Sequence, residues 1–156
     1  MRRSDKEITD QNLMDEILKK AQVCRLAVSF KDMPYIVPMN FGYADRVLYF
    51  HSAHEGLKVM ILRENPQACF EVEINTELVP SEQGCEWTMR YQSVVGFGEV
   101  EFIDDIAAKR EGMKIIMQQY SNEQPFPADA VLAGVTLFKL KVNTMTGKQS
   151  GQSGSM

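Results

Sequence analysis

Between Val23 and Phe50 the chain alternates apolar and polar positions with a period of two, and turn-forming residues break the alternation at intervals. Cys24, Leu26, Val28 and Phe30 share one side of a strand, with Arg25, Ala27 and Ser29 on the other. Lys31-Asp32-Met33-Pro34 reads as a turn and Tyr35 to Phe41 as a second strand. Gly42 to Arg46 then returns the chain into Val47 to Phe50. Three such strands in succession predict an antiparallel meander. Pro38 interrupts the second strand and cannot donate to a ladder, so it marks an edge, a bulge or a break in pairing.

Elsewhere the period changes to that of a helix. Thr9 is spaced as a cap between Ile8 and Leu13, which predicts a helix from Asp10 with Leu13, Met14, Ile17, Leu18 and Ala21 on its apolar face. A second helix is expected from about Ala53 to the Glu64-Asn65-Pro66 stop, followed by a strand over Ala68 to Ile74. Asn75 to Glu86 is polar and reads as a loop. Trp87 to Ile103 alternates over a long span, with Gly96 and Gly98 where a bulge or barrel bend is expected. Asp104-Asp105 caps a helix through about Tyr120 that buries Ile106, Met113, Ile116, Met117 and Tyr120. Val135 to Val142 forms a last strand. About six strands and at least three helices predict an antiparallel α+β domain over residues 1–148, closed into a small barrel, with 149–156 a disordered tail.

Composition narrows the function. At 156 residues and 44% hydrophobic the chain suits one domain with a proper core. Seventeen Lys and Arg against 21 Asp and Glu leave a net charge of −4, without a basic run, so no nucleic-acid partner is expected. Cys24, Cys69 and Cys85 are far apart and form no CxxC; with no apolar run long enough to export or anchor the chain, they read as free thiols of a cytoplasmic protein without a membrane partner. The two histidines lack metal-ligand spacing, so no metal is expected. Val142 and Gln149 occupy the wrong places for Thr146-Gly147-Lys148 to complete a P-loop, and it reads as the start of the tail.

Chemistry gathers at His51-Ser52-Ala53-His54-Glu55-Gly56-Leu57-Lys58, where a strand passes into a helix. Ser52 and Glu55 fit an S-x-x-E capping box. Alternatively, Ser52 Oγ, the free amides of the first turn and the Lys58 ammonium hold a phosphate monoester. His54 is expected to face water. One strand earlier, the break at Pro38 frees backbone groups of the kind that bind a flat heteroaromatic ring, and Tyr43, Trp87 and Tyr91 offer stacking faces.

From Arg2 to Lys148 the chain resembles the nitroimidazole-resistance branch of the pyridoxamine-phosphate-oxidase-like, FMN-binding split-barrel superfamily. The resemblance lies in Arg2-Arg3, Val23-Cys24-Arg25-Leu26-Ala27, Tyr35 to Tyr43, Leu48 to Ala53 with Gly56 and Lys58, Asn65-Pro66, Tyr91 to Gly98 and Met145 to Lys148. It implies a six-stranded FMN-binding split β-barrel with flanking helices, forming a homodimer with sites at the subunit interface. It also implies that Val37, Pro38, Met39 and Asn40 line the isoalloxazine, that His51, Ser52 and Lys58 meet the ribityl-phosphate end, and that Tyr91, Gln92 and Ser93 come from the neighbouring subunit. His51 becomes the catalytic residue of a nitro-aromatic reductase. Leu57 stands where pyridoxamine-phosphate oxidases carry an arginine before the lysine, which argues against vitamin B6 oxidation. The rival readings are a non-catalytic dimer that binds flavin, or haem through His51, and a structural dimer with an empty pocket.

Overall fold

The computed structural model describes residues 3–121, 123 and 125–151. One antiparallel sheet of eight strands organises them: β1 (Glu7–Ile8), β2 (Cys24–Phe30), β3 (Met33–Met39), β4 (Gly42–Ala44), β5 (Val47–Ser52), β6 (Gln67–Val79), β7 (Thr88–Ile103) and β8 (Thr136–Ser150). The helices are α1 (Gln11–Lys20), α2 (Leu57–Glu64), α3 (Ile106–Gln118) and α4 (Asp129–Ala133). The antiparallel α+β split barrel expected from the sequence is present, with the two short strands β1 and β4 raising the count from six to eight.

The strand order is β3-β2-β6-β7-β8-β5-β4, with β1 added against β8. β3 and β4 are neighbours in the chain but stand at opposite ends of this order, so the expected meander is wrong. Only Asn40 and Phe41 join Met39 to Gly42, a link that reaches about 10 Å. The two edges of the sheet therefore converge at this corner, and the sheet curls on itself. β2 pairs with β3 in unbroken register from Cys24↔Met39 to Phe30↔Met33, so of the three meanings open to Pro38 the structure selects an edge strand.

Local chemistry explains the hairpins. Lys31 and Asp32 have φ of 47° and 64°, and Asp45 and Arg46 have 49° and 62°, the paired left-handed residues of a two-residue hairpin turn. Opposite Phe97 and Gly98, where the sequence predicts a bulge or bend, the register shifts, and the extra residue is Asn143 of β8 rather than a residue of β7. Asn75, with φ of 57°, sits in a second irregularity, after which Glu77, Leu78 and Val79 resume pairing with Arg90, Met89 and Thr88. The stretch expected to be a loop is thus partly strand. β8 likewise runs on past Val142 to Ser150. Gln149 and Ser150, expected in the tail, pair with Gln92 and Tyr91; residues 152–156 of that tail, and Arg2, lie outside the described residues.

Two cores result. The concave face of the sheet packs Leu26, Leu48, Phe50, Phe70, Val72, Val94, Phe138 and Leu140 against Met14, Ile17 and Leu18 of α1 and Ile61 and Leu62 of α2. A smaller cluster on the opposite face joins Leu137, Ile103 and Tyr49 to Ile116 and Met113 of α3. Ile106 and Tyr120, expected on that buried face, remain 41% and 42% exposed. Asp10 rather than Thr9 caps α1, accepting from the Asn12 N–H, and Asp105 caps α3 through the Ala108 N–H.

Candidate functional site

The β5 to α2 junction differs from its sequence reading. α2 begins at Leu57, its N-cap is Gly56, and no side chain caps it. Ser52 instead completes β5, pairing with Thr136, and donates its hydroxyl to the Ala53 carbonyl at 3.0 Å. The capping box does not form because ladder pairing holds Ser52 four residues short of the helix. Gly56 has φ of 136° and ψ of 161°, a conformation essentially reserved for glycine, and a Cβ there would meet nothing within 4 Å. The approach to Gly56 is therefore open, and half-buried Lys58 follows in the first turn of α2. The loop between is fastened by His54, whose Nδ1 lies 2.9 Å from Thr136 Oγ1, so His54 has a partner as well as an exposed surface.

Strand alternation separates His51 from Ser52. Leu48, Phe50 and Ser52 are buried on the concave face, whereas His51 is exposed on the opposite one, in line with Tyr49. The β3–β4 corner approaches this point. β4 pairs with β5 from Ala44↔Val47 to Gly42↔Tyr49, and one step further the Phe41 and Phe50 rings stand 6.4 Å apart. The corner thus reaches the level of Phe50, one residue before His51 and two before Ser52. Met39 is buried, while Pro38 and Asn40 are exposed and Val37 is intermediate. Lys58 follows in the first turn of α2.

Tyr91, Gln92 and Ser93 lie apart from His51, although the row of Met39, followed through Cys24 and Val72, reaches Val94 beside Ser93. His51 pairs with Leu137, and Leu137 with Ile103 of β7. Ser93 lies ten residues back along β7 from Ile103, a path of about 33 Å at the usual rise per residue. The three residues instead border Glu73, Ile74 and the end of β8. Of the other aromatics, Tyr43 is buried and donates to Asp15 Oδ1 at 2.6 Å, and Trp87 is half exposed with its indole N–H on the Ser81 carbonyl. Neither borders the junction in sequence or register.

Gln119, which the sequence reading passed over, and Tyr120, which it placed only on a buried helix face, set the corner. Tyr120 Oη accepts from the Phe41 N–H at 2.9 Å and donates to the Gln22 carbonyl at 2.8 Å. Burial raises the Tyr120 phenol above its ordinary pKa and keeps it protonated for that double task. Gln119 accepts from the Tyr43 N–H while its amide donates to the carbonyls of Leu18, Lys19 and Ala21. Together they tie the β3–β4 corner to the end of α1. Their signal in the sequence is slight, a polar pair finishing an otherwise apolar helix face.

The described residues contain no group of three or more His, Cys, Asp or Glu placed to hold a metal, and no helix long and apolar enough to cross a membrane.

Residues 10–149 match the family model described as pyridoxamine 5'-phosphate oxidase. No curated protein matches the chain. Among solved structures, a candidate 5-nitroimidazole antibiotic resistance protein from Bacteroides thetaiotaomicron is 36% identical, with 91% of this chain and 85% of that one covered at a TM-score of 0.81. An FAD and haem binding protein from Mycobacterium smegmatis (22% identity, 97% and 77% covered, TM-score 0.83) shares the fold. So does a flavocytochrome from Azotobacter vinelandii (19% identity, 97% and 72% covered, TM-score 0.82).

Proposed function

From the premise that this chain belongs to the pyridoxamine 5'-phosphate oxidase family, we propose that it is an FMN-binding homodimer that reduces nitro-aromatic compounds of the 5-nitroimidazole type. The observation that carries the reading is that Tyr91, Gln92 and Ser93 stand apart from the β5–α2 junction, about 33 Å along β7 from the row of His51 and three strands, about 14 Å, across the sheet from Met39. A two-fold related copy unites them twice, setting Tyr91, Gln92 and Ser93 of each subunit against Val37 to Asn40 and His51 of the other. The outer face of β3, β2, β6 and β7 is the docking surface. Ile36, Ala27, Cys69 and Phe97 lie in one row across it, with Ile36 61% and Phe97 58% exposed.

The donor set suits FMN. The α2 amides and Lys58 are suited to a phosphate, the Ser52 hydroxyl, its proton given to the Ala53 carbonyl, keeps an acceptor for the ribityl chain, and the outer edge of β3 presents backbone groups to a flat ring. FMN, when bound, supplies the hydride and electron transfer. The chain's part is to orient a nitro group beside the ring and to bring a proton to its oxygen. His51 is suited to that delivery, being exposed and without a hydrogen-bond partner among the described residues. The nitroimidazole assignment draws on the Bacteroides relative. A second reading, a non-catalytic dimer that binds flavin, or haem through His51, is favoured by that same open approach to His51 and by the Mycobacterium protein.

The test is anaerobic. Wild type and His51→Ala, each loaded with FMN, are reduced and mixed with a nitroimidazole while flavin absorbance is followed. Nitro-dependent reoxidation in wild type, slowed about 100-fold in the variant, is expected. No reoxidation in either removes the reductase reading, equal rates remove His51 from the chemistry, and a Soret band in place of a flavin spectrum supports haem.

A further inference from the structure

β6 and β7 outrun the sheet. β2 pairs with β6 only from Ala68 to Val72, and β8 reaches along β7 only to Tyr91. Past Asn75 and Gln92 the two strands pair with each other alone, Glu77 with Arg90, Leu78 with Met89 and Val79 with Thr88, so residues 77–90 project as a two-stranded hairpin. A lone hairpin is only marginally stable in water. Polar bonds fasten this one: Arg90 donates to Glu77 at 2.7 Å and to the Gly151 carbonyl at 3.0 Å, the Trp87 indole to the Ser81 carbonyl at 2.8 Å, and the Ser81 hydroxyl to Glu86 at 2.7 Å.

Its large apolar side chains are left open. Leu78, Met89 and Trp87 are 50%, 40% and 51% exposed, and none of the three joins either core. Leu78 and Met89 are ladder partners and share a face. The irregularity at Asn75 adds its extra residue to β6, so alternation along β7 is unbroken from Met89 through Tyr91 and Val95 to Phe97. The hairpin therefore presents Leu78 and Met89 on the same outer face as Ile36, Ala27, Cys69 and Phe97.

Without the hairpin that face is small for a stable dimer. Four strands about 4.8 Å apart and about seven residues long span roughly 440 Å² measured flat, about half of the ~800 Å² that each partner gives to an interface of standard size. The run of β6 and β7 beyond Val72 and Val94 adds roughly 220 Å² on the same side. Met89 also stands two residues, about 7 Å, from Tyr91, which the dimer reading above sets against Val37 to Asn40 of the other subunit. We infer that the hairpin is a dimer arm, which lays Leu78, Trp87 and Met89 on a second copy of this chain beside the edge formed there by Val37 to Asn40. This deepens the dimer reading and rests on it.

Trp87 is the only tryptophan of the chain, so tryptophan fluorescence reads the arm alone. Full-length wild type and the double variant Leu78→Gln, Met89→Gln are compared by sedimentation velocity over a concentration series and by acrylamide quenching of Trp87. The variant is expected to dissociate at a concentration about tenfold or more higher, and the wild-type dimer to shield Trp87 about twofold or more relative to the monomer that the variant yields. Unchanged dimer affinity in the variant overturns the assignment. So does a Trp87 equally open in dimer and monomer, or equally shielded in both, which would mean that the chain covers its own hairpin. If the variant lacks a cooperative melt, Leu78→Thr, Met89→Thr, which keeps good strand formers, replaces it and the same outcomes decide. Wild type that is monomeric throughout the series overturns the dimer reading itself, whereas a dimer indifferent to the hairpin overturns this inference alone.

Discussion

The outer face of the sheet has two halves that differ in what covers them. Over β5 and β8 the chain supplies its own cover: α3 lies across Tyr49 and Leu137, leaving Leu137 fully buried and Ile116 4% exposed. Over the outer face of β3, β2, β6 and β7 no helix is laid among the described residues. Ile36, Ala27, Cys69 and Phe97 form a row open to solvent, flanked by Pro34, Pro38 and Val95 and by the Arg25, Glu71 and Glu73 ion pairs. Similar apolar chemistry thus serves two ends. On the covered half it holds the monomer together, and on the bare half it is the surface proposed above for association.

The largest effect belongs to the covered half. Leu137→Ala removes a side chain packed against Ile103, Ile116 and Tyr49 and is expected to cost about 2–5 kcal/mol in urea unfolding. A loss below about 1 kcal/mol would mean that α3 is not firmly docked and that the two halves are alike. Next comes the bare half. The double change Ile36→Gln, Phe97→Gln should alter monomer stability by no more than about 1 kcal/mol, yet give a monomer in sedimentation velocity that no longer retains FMN. A double variant that still dimerises with its flavin would move the interface elsewhere.

How legible each half was from the sequence follows from the range of the forces involved. The hairpins at Lys31-Asp32 and Asp45-Arg46 and the Asp105 cap depend on residues within a few positions, and the pattern shows them. Longer-range pairing overrode local pattern elsewhere. Ser52 and Glu55 have the spacing of a capping box, but pairing with Thr136 keeps Ser52 in β5. Asn75 to Val79 and Thr146 to Ser150 look like loop and tail because they are polar, yet β7 supplies each with a ladder. The Asn40-Phe41 link has the length of a turn and instead carries the chain from one edge of the sheet to the other. In the candidate site, Lys58 and the β3 corner were legible as a resemblance. The opposed faces of His51 and Ser52 follow from strand alternation once β5 is known to run to Ser52. Gln119 and Tyr120 left almost no trace, because their role is to satisfy backbone groups about 80 to 100 positions away.

The smallest effect concerns the charges of the bare half, and its sign is informative. Glu71 lies between Cys69 and Glu73 on β6, opposite Arg25, to which it is bonded at 3.0 Å. Partial burial raises its carboxyl pKa above the ordinary value, and the pull of Arg25 in the other direction does not cancel this. A carboxyl whose pKa is raised by folding contributes stability below its unfolded pKa and loses that contribution as pH rises through the folded value. Glu71 is therefore a small burden on the monomer at neutral pH, despite its ion pair. Glu71→Gln, made in the Ile36→Gln, Phe97→Gln background so that association does not enter, should leave stability at pH 7 equal or slightly higher, within about 0.5 kcal/mol. The difference should shrink as pH falls below the ordinary carboxylate range, where wild-type Glu71 is protonated in both states. Urea midpoints across that pH range measure it. A clear loss of stability at pH 7 would show that the Arg25 pair holds the monomer together, and the bare face would then resemble the covered one in function as well as composition.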